Sequence, residues 1–209
     1  MIKRIVNNLF GSEADESGRI DAGFFRNLPV LETDRLLLRA LGFDDVEDLF
    51  VYSKDPEVAC HVLWNAQTDI RESRDYVRYA LRQYRMNEPA SWAIEYKPLG
   101  KVIGTIGFMW VNYDHHSAEV GYSLSREYWN QGLMTEALNA VLRAGFTQLG
   151  LHRIEAQHEV DNPASGRVMQ KCGMRYEGCV RGRLYNKGRY VDVALYAILR
   201  EDYFSAAGH

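Results

Sequence analysis

The residues best suited to chemistry lie around Gly132, in the run AEVGYSLSREYWNQGLMTEAL. Gly132 stands where the chain enters a long predicted helix, and a residue without a side chain lets a ligand approach the backbone closely. The first N–H groups of a helix have no partner inside it, and the helix dipole places partial positive charge there. A pyrophosphate group suits such a position. A plain strand-to-helix turn would also explain a single glycine here.

Two neighbouring features indicate that a ligand extends away from this turn. Gly121 interrupts the preceding strand, as glycines do at a β-bulge or where another chain or a ligand approaches closely. A strand that bulges open leaves backbone donors unpaired. After one further strand, a short helix opens with Asn162 and Ser165, whose polar groups can reach a ligand lying between the two segments.

The elements that must position these residues form one α+β domain with a mostly antiparallel sheet. Three short β-rich runs predict an antiparallel meander: SWAIEYK, KVIGTIGFMW and SAEVGYSL. A long buried helix follows, then a strand, RIEAQHEV, and a short helix whose N-cap is Asn162 and whose left-handed stop is Gly173. The tail predicts two strands joined at the turn NKG.

The first thirty residues differ from the rest, because they are polar, rich in glycine and without a sustained period. We therefore predict an N-terminal extension over residues 1–30 and a domain over 31–209. The extension is either loosely attached, or it packs on the domain or on a second subunit through its apolar residues. Those residues are Ile5, Val6, Leu9, Phe10, Phe24 and Phe25.

Composition excludes several functional classes. The chain has 209 residues, with 25 Lys and Arg against 28 Asp and Glu and a formal net charge of -3. This balance argues against direct nucleic-acid binding, which needs a basic face. The three cysteines lack metal-ligand spacing, and no apolar run approaches the roughly 18 residues that span a bilayer. We expect a cytoplasmic protein that holds no metal and contacts no membrane.

At this point the sequence resembles a known family. The run GYSLSREYWNQGLMTEAL, followed by HRIEAQHEVDNPASGRVMQKCGMRYEG, looks like the GNAT superfamily of acyl-CoA-dependent N-acetyltransferases. Within it, the branch of the ribosomal-protein N-terminal alanine acetyltransferases is the most similar, and LETDRLLLRAL resembles its first strand. The resemblance spans roughly residues 31–200. It implies a GNAT-like α+β fold: a central, mostly antiparallel twisted sheet, opened by a bulge and flanked by helices.

The resemblance also implies a binding site for acetyl-CoA. The family's pyrophosphate loop falls on seven consecutive residues: Trp129, Asn130, Gln131, Gly132, Leu133, Met134 and Thr135. Met134 departs from the small residue common at its place, which would alter how closely the diphosphate sits. The pantetheine arm would meet the backbone of Tyr122, Ser123 and Leu124, and Asn162 matches the position that hydrogen-bonds it.

Two side chains resemble catalytic residues of the family. Glu119 matches an acidic residue that accepts the amine proton through water; otherwise it is a solvent-facing or salt-bridged carboxylate. Ser165 matches a serine that protonates the departing thiolate; otherwise it is a local cap. Met169 stands where many members carry a tyrosine donor. The oxyanion would bind a backbone N–H near Tyr122.

Other polar residues are weaker candidates. Glu155 and Glu159 share a face of the following strand and are reserve bases, while His158 is predicted to be a core or interface residue. Three residues of the last hairpin either line the acceptor pocket or pack on strands: Tyr185, Tyr190 and Asp192.

The acceptor stays open at the level of sequence. The first hypothesis is an enzyme that acetylates a primary amine, such as the N-terminal amine of a ribosomal protein. A small amine, an antibiotic or a polyamine is the second, and an acyl-CoA-binding sensor without turnover is the third. The chain is expected to act as a monomer or homodimer.

Overall fold

The computed structural model describes residues 23–207. Its strands are β1 (Leu31–Glu32), β2 (Leu36–Arg39), β3 (Ser91–Tyr96), β4 (Lys101–Asn112), β5 (Ser117–Leu124), β6 (Arg153–Glu159), β7 (Arg175–Asn186) and β8 (Arg189–Leu199). Its α-helices are α1 (Val46–Ser53), α2 (Pro56–Ala59), α3 (Ile70–Met86), α4 (Leu133–Thr147), α5 (Pro163–Lys171) and α6 (Arg200–Ala207). None of the helices described is long and apolar enough to cross a membrane.

The eight described strands form a single sheet in the order β1-β2-β3-β4-β5-β6-β8-β7. Neighbours run antiparallel except β5 and β6, which are parallel and pair only from Ser117–Glu119 to Arg153–Glu155. Beyond Glu119, β5 continues against β4 alone, so the sheet opens between β5 and β6. The predicted α+β class and the mostly antiparallel, opened sheet are confirmed.

The bulge beside this opening lies on β4. Phe108 pairs with Val120 and Trp110 pairs with Glu119, so Met109 is the extra residue. Gly121 itself is regularly paired, and a Cβ added there would lie 2.8 Å from Sδ of Met109. Of the reasons considered for Gly121, close approach is therefore the one observed, here by the side chain of Met109, and the bulge belongs to the neighbouring strand.

An aromatic cluster joins the segment before β1 to the sheet. Phe24 and Phe25 are buried, and their rings lie edge-on with centroids 5.1 Å apart. The ring centroids of Phe25 and Phe108 lie 6.3 Å apart, and Nε1 of Trp92 donates to the carbonyl of Pro29. These two phenylalanines therefore pack on the domain. The other apolar residues named in the extension lie outside the described residues: Ile5, Val6, Leu9 and Phe10.

The helices that frame the opening begin and end where their local sequence requires. Asn162 caps α5 by accepting the N–H of Ser165 at 3.3 Å, and Gly173 follows the helix with φ +80°. The short helix α2 was not predicted, because four residues are too few to show a period. The loop after α2, which starts at Cys60, contributes to the site described next.

Candidate active site

A cavity of about 440 Å³ lies beside the opening between β5 and β6. Its walls come from the end of β5, the turn and first residues of α4, the start of α5, and α2 with the loop that follows it. Most of the predicted site residues line it: Tyr122, Ser123, Leu124, Trp129, Asn130, Gly132, Leu133, Met134, Thr135, Asn162 and Ser165. Gln131 and Glu119 lie outside this lining.

The first turn of α4 offers unpaired backbone donors to the cavity. Gly132 adopts a left-handed conformation with φ +77°, and the helical bonds begin when the N–H of Glu136 donates to its carbonyl at 3.0 Å. Among residues 23–207, no backbone carbonyl accepts a hydrogen bond from the N–H of Leu133, Met134 or Thr135. These amides are suited to an anion.

The turn before α4 is held by hydrogen bonds from side chains. Nε1 of Trp129 donates to the carbonyl of Leu124 at 2.8 Å, and Nε2 of Gln131 donates to that of Glu127 at 2.8 Å. The carbonyl of Gln131 accepts from Nη1 of Arg35 at 3.0 Å. Trp129 and Gln131 therefore brace the turn through their side chains.

Met134 is accommodated without filling the cavity. Its side chain is 6% exposed and belongs to the hydrophobic core. The larger side chain at this position is thus directed mainly into the protein interior.

Hydrogen bonds of Glu136 with the segment just before β2, not foreseen from the sequence, hold the first turn of α4. Glu136 accepts from Oγ1 of Thr33 at 2.6 Å and from Nε of Arg35 at 2.8 Å. Burial raises the pKa of Glu136, but the hydrogen bonds from Thr33 and Arg35 outweigh it, so the pKa lies below its ordinary value of 4.5. More than one hundred residues separate Arg35 from Glu136 in the chain, and no local pattern joins them.

Glu136→Gln is expected to lower the free energy of unfolding by about 1 kcal/mol near pH 7, because hydrogen bonds to a charged acceptor are lost. A carboxyl whose folded pKa is lowered stabilises the protein above its unfolded pKa. The difference between the two proteins should therefore shrink as pH falls below 4.5. Urea denaturation at several pH values measures it, and a difference that grows in acid would contradict this account.

Two hydroxyl groups meet at the inner end of the cavity. The hydroxyl of Tyr122 lies 3.0 Å from Oγ of Ser165 and donates to the carbonyl of Ser165 at 3.1 Å. Burial raises the pKa of Tyr122, so its hydroxyl keeps its proton at neutral pH. Sequence reasoning used only the backbone of Tyr122. Its position on the same face of β5 as Ala118 and Val120 was the signal that its side chain turns inward.

Asn162 caps α5 through Oδ1, which leaves its Nδ2 group available to a ligand. Oδ1 accepts the N–H of Ser165, and within the described residues no acceptor binds Nδ2. Asn162 therefore both caps α5 and presents an amide donor to the cavity that it lines.

Glu119 is held by two donors outside the cavity lining. Nε1 of Trp110 donates to Oε2 at 2.9 Å, and Nε2 of Gln157 donates to Oε1 at 2.8 Å. Its role as a base stays a prediction.

The weaker candidates occupy different environments. Nδ1 of His158 lies 2.7 Å from the carbonyl of Glu159, its ring packs against Tyr196, and Nε2 is buried without a partner among the described residues. Tyr185 and Tyr190 are exposed and lie against each other at the end of the last hairpin, outside the cavity lining.

Comparison with known proteins agrees with this arrangement. The model of the acetyltransferase (GNAT) domain family matches residues 35–175. An uncharacterized N-acetyltransferase of Bacillus subtilis, YoaA, is 34% identical over 172 residues, which are 82% of this chain and 97% of that protein. This chain belongs to the GNAT acetyltransferase family. GNAT enzymes transfer an acetyl group from acetyl-CoA to an amine, so the resemblance to the GNAT superfamily noted in the sequence is confirmed.

Solved GNAT structures share the architecture. The acetyltransferase (GNAT family) from Bacillus anthracis has a TM-score of 0.74 and 29% identity, and the match covers 83% of this chain and 99% of that one.

Two shorter matches to GNAT proteins differ in their named acceptors. A ribosomal-protein-serine acetyltransferase of Escherichia coli is 35% identical over 98 residues, 46% of this chain and 54% of that protein. A spermidine N(1)-acetyltransferase of Vibrio cholerae is 32% identical over 104 residues, 50% of this chain and 60% of that protein. Membership of the GNAT family therefore leaves the acceptor of this chain to be argued from its site.

Proposed function

We propose that this GNAT enzyme acetylates the N-terminal amino group of a protein, with a ribosomal protein as the first candidate. The observation that carries the proposal is the cavity that joins the open amides of α4 to the hydroxyl pair of Tyr122 and Ser165. The relative named as a ribosomal-protein-serine acetyltransferase supports the choice of acceptor.

In this proposal acetyl-CoA lies along the opening between β5 and β6. The amides of Leu133, Met134 and Thr135 bind its diphosphate, and Arg167 and Lys171, which also line the cavity, supply positive charge. The pantetheine arm contacts the backbone of β5 beyond Glu119, where β6 no longer covers it, and receives the amide of Asn162. The remaining loop residues, Trp129 to Gly132, stabilise the backbone conformation of the turn before α4.

The reaction requires little from the protein when the acceptor is an N-terminal amine. Such an amine titrates at about 7.7 to 8.0, whereas a lysine amine titrates at about 10.4, so a useful fraction is already unprotonated near neutral pH. The free amine attacks the thioester carbonyl, and a backbone N–H near Tyr122 stabilises the oxyanion. Ser165, hydrogen-bonded to Tyr122, then protonates the thiolate.

The rival acceptors are less well supported by the site. A polyamine calls for several carboxylates, but the lining of the described cavity includes one carboxylate, Glu57, beside Arg167 and Lys171. A sensor without turnover would not need the hydroxyl pair at the inner end. We retain both as outcomes of the test.

The test measures release of free CoA thiol from acetyl-CoA with a set of acceptors. We expect turnover with peptides that have a free N-terminus, and at least tenfold lower kcat/KM with spermidine. The matched control is the same peptide with a blocked N-terminus and an internal lysine. Faster turnover of spermidine would favour the polyamine, and acetyl-CoA binding without turnover of any acceptor would favour the sensor.

Gly132→Ala is expected to weaken acetyl-CoA binding about tenfold. A left-handed conformation costs an alanine about 1–2 kcal/mol, and relaxing that strain would turn the amides of α4 away from the diphosphate. Calorimetry with CoA measures the change. Gly150→Ala is the matched control, because Gly150 has φ +64°, has open space around its Cβ position and lies outside the cavity lining. Equal losses of affinity in both variants would contradict the assignment.

A further inference from the structure

A buried carboxylate contacts one of the residues that line the cavity. Glu159, the last residue of β6, is 4% exposed. Its Oε1 accepts from Nδ2 of Asn186 at 2.5 Å, and its Oε2 lies 3.2 Å from Nδ1 of His61 and 3.4 Å from Nη2 of Arg189. Burying a carboxylate costs free energy unless hydrogen bonds compensate for the lost water, and Glu159 has a partner at each oxygen.

His61 brings this cluster to the cavity. It lies in the loop after α2 and is part of the cavity lining, together with Tyr122 and Ser165. Its side chain is 28% exposed, so the ring is neither buried in the core nor free in solvent. Since an ionised carboxylate can only accept, the bond to Glu159 places a proton on Nδ1 and leaves Nε2 as the basic nitrogen.

The last hairpin fixes the loop that carries His61. Nζ of Lys187 donates to the carbonyls of Val62 and Trp64 at 2.6 and 3.1 Å. Nδ2 of Asn186 also reaches the carbonyl of Val62 at 3.3 Å. Residues on both sides of the turn between β7 and β8 thus hold the histidine and its carboxylate in one geometry.

We propose that His61 is the general base of the reaction and that Glu159 is its positioning residue. This rests on the proposed function, since it assigns the proton that the attacking amine must lose. A base held by a hydrogen bond to an orienting carboxylate is the arrangement used to activate nucleophiles in many enzymes. Sequence reasoning ranked Glu159 only as a reserve base and did not consider His61.

The proton balance of the step is complete. The amine nitrogen forms the new N–C bond, and the proton that becomes acidic on this nitrogen passes to Nε2 of His61. The C–S bond then breaks, and the thiolate takes the proton of Ser165. Proton exchange with solvent returns His61 to its neutral form and Ser165 to its hydroxyl form, so that the net products are the amide and CoA.

His61 and Glu159 form a dyad, and the charged groups around it influence how its activity depends on pH. Glu159 faces His61 from β6, Arg189 approaches Glu159 from β8, and Asp161 in turn lies 3.4 Å from Arg189. Lys187 holds the loop from the hairpin turn, and Glu57 and Cys60 precede His61 in the lining. Arg189, Asp161, Lys187, Glu57 and Cys60 are unchanged in the variants of His61 and Glu159 below, so a change in the pH profile reports His61 and Glu159 themselves.

The experiment compares His61→Gln, Glu159→Gln and Glu119→Gln with the unmodified chain, using an N-terminal peptide and acetyl-CoA. We expect His61→Gln to lower kcat about 10²-fold and to remove the rising limb of the pH profile of kcat, which reports groups of the enzyme–substrate complex and not the free acceptor amine. Glu159→Gln should lower kcat about tenfold and shift that limb, while calorimetry finds CoA affinity unchanged in both. Added imidazole should partly restore His61→Ala. His152→Gln, which changes an exposed histidine outside the lining, should keep full activity.

The outcomes separate this inference from the proposed function. If the unmodified chain turns over an amine and His61→Gln keeps both its rate and its pH profile, the base assignment is wrong and the function stands. A loss of the rising limb in Glu119→Gln but not in His61→Gln would give the role to Glu119. If the unmodified chain turns over no amine at all, both proposals fail.

Discussion

Replacing Ser165 by alanine is expected to lower kcat for acetyl transfer about 10²-fold while leaving the affinity for CoA nearly unchanged. The thiolate would lose the proton donor proposed for it, whereas the amides of α4 remain in place. The cap of α5 also remains, because Asn162 accepts the backbone N–H of residue 165 and not its side chain. Steady-state kinetics with a peptide acceptor and calorimetry with CoA measure the two quantities separately.

Tyr122→Phe distinguishes a proton donor from a structural contact. If Ser165 relies on the hydroxyl of Tyr122, then Tyr122→Phe should lower kcat, and the double variant should lose less than the product of the two single losses. Ser117→Ala, a change at the far end of β5 outside the cavity lining, is the control. Full activity in Ser165→Ala would show that the thiolate leaves without this serine.

Phe25→Ala is expected to lower the free energy of unfolding by about 3–5 kcal/mol. Phe25 is 1% exposed and packs against Phe24 and Phe108, so the smaller side chain leaves a cavity in the aromatic cluster. Urea denaturation followed by tryptophan fluorescence measures the loss, since Trp92 lies in the same cluster.

The control for this prediction lies in the same segment. Val30 is 61% exposed, so Val30→Ala should change stability by less than about 0.5 kcal/mol. A small effect of Phe25→Ala would indicate that the residues before β1 pack loosely, in line with the sequence-based boundary at residue 30. A large effect would place residues 23–30 energetically within the domain.

Local sequence patterns predicted the helices and turns that line the proposed acetyl-CoA site. The cap at Asn162, the glycine at the start of α4 and the short strands were foreseen because each depends on a few consecutive residues. The alternation along β5 also placed Tyr122 on the face of Ala118 and Val120, although only its backbone was assigned a role. For the same reason, nearly all the residues named for binding acetyl-CoA line one cavity.

Contacts between distant parts of the chain could not be predicted in this way. The bond of Arg35 to Glu136 and that of His61 to Glu159 join residues about one hundred positions apart. The bulge was expected at Gly121 but lies at Met109, because a glycine marks a close approach without showing which strand carries the extra residue. Pairings of this kind depend on the topology of the sheet.

The turn between β7 and β8 supports the loop of His61 independently of the amides of α4. Lys187 and Asn186 contact the loop of His61, whereas the first turn of α4 is held by Arg35, just before β2, and by its own helix. Substitutions in these two short segments are therefore expected to alter the position of His61 without disturbing the amides of α4. Residues 62–64 and 186–187 are expected to change together, because a substitution in one segment removes hydrogen-bond partners of the other.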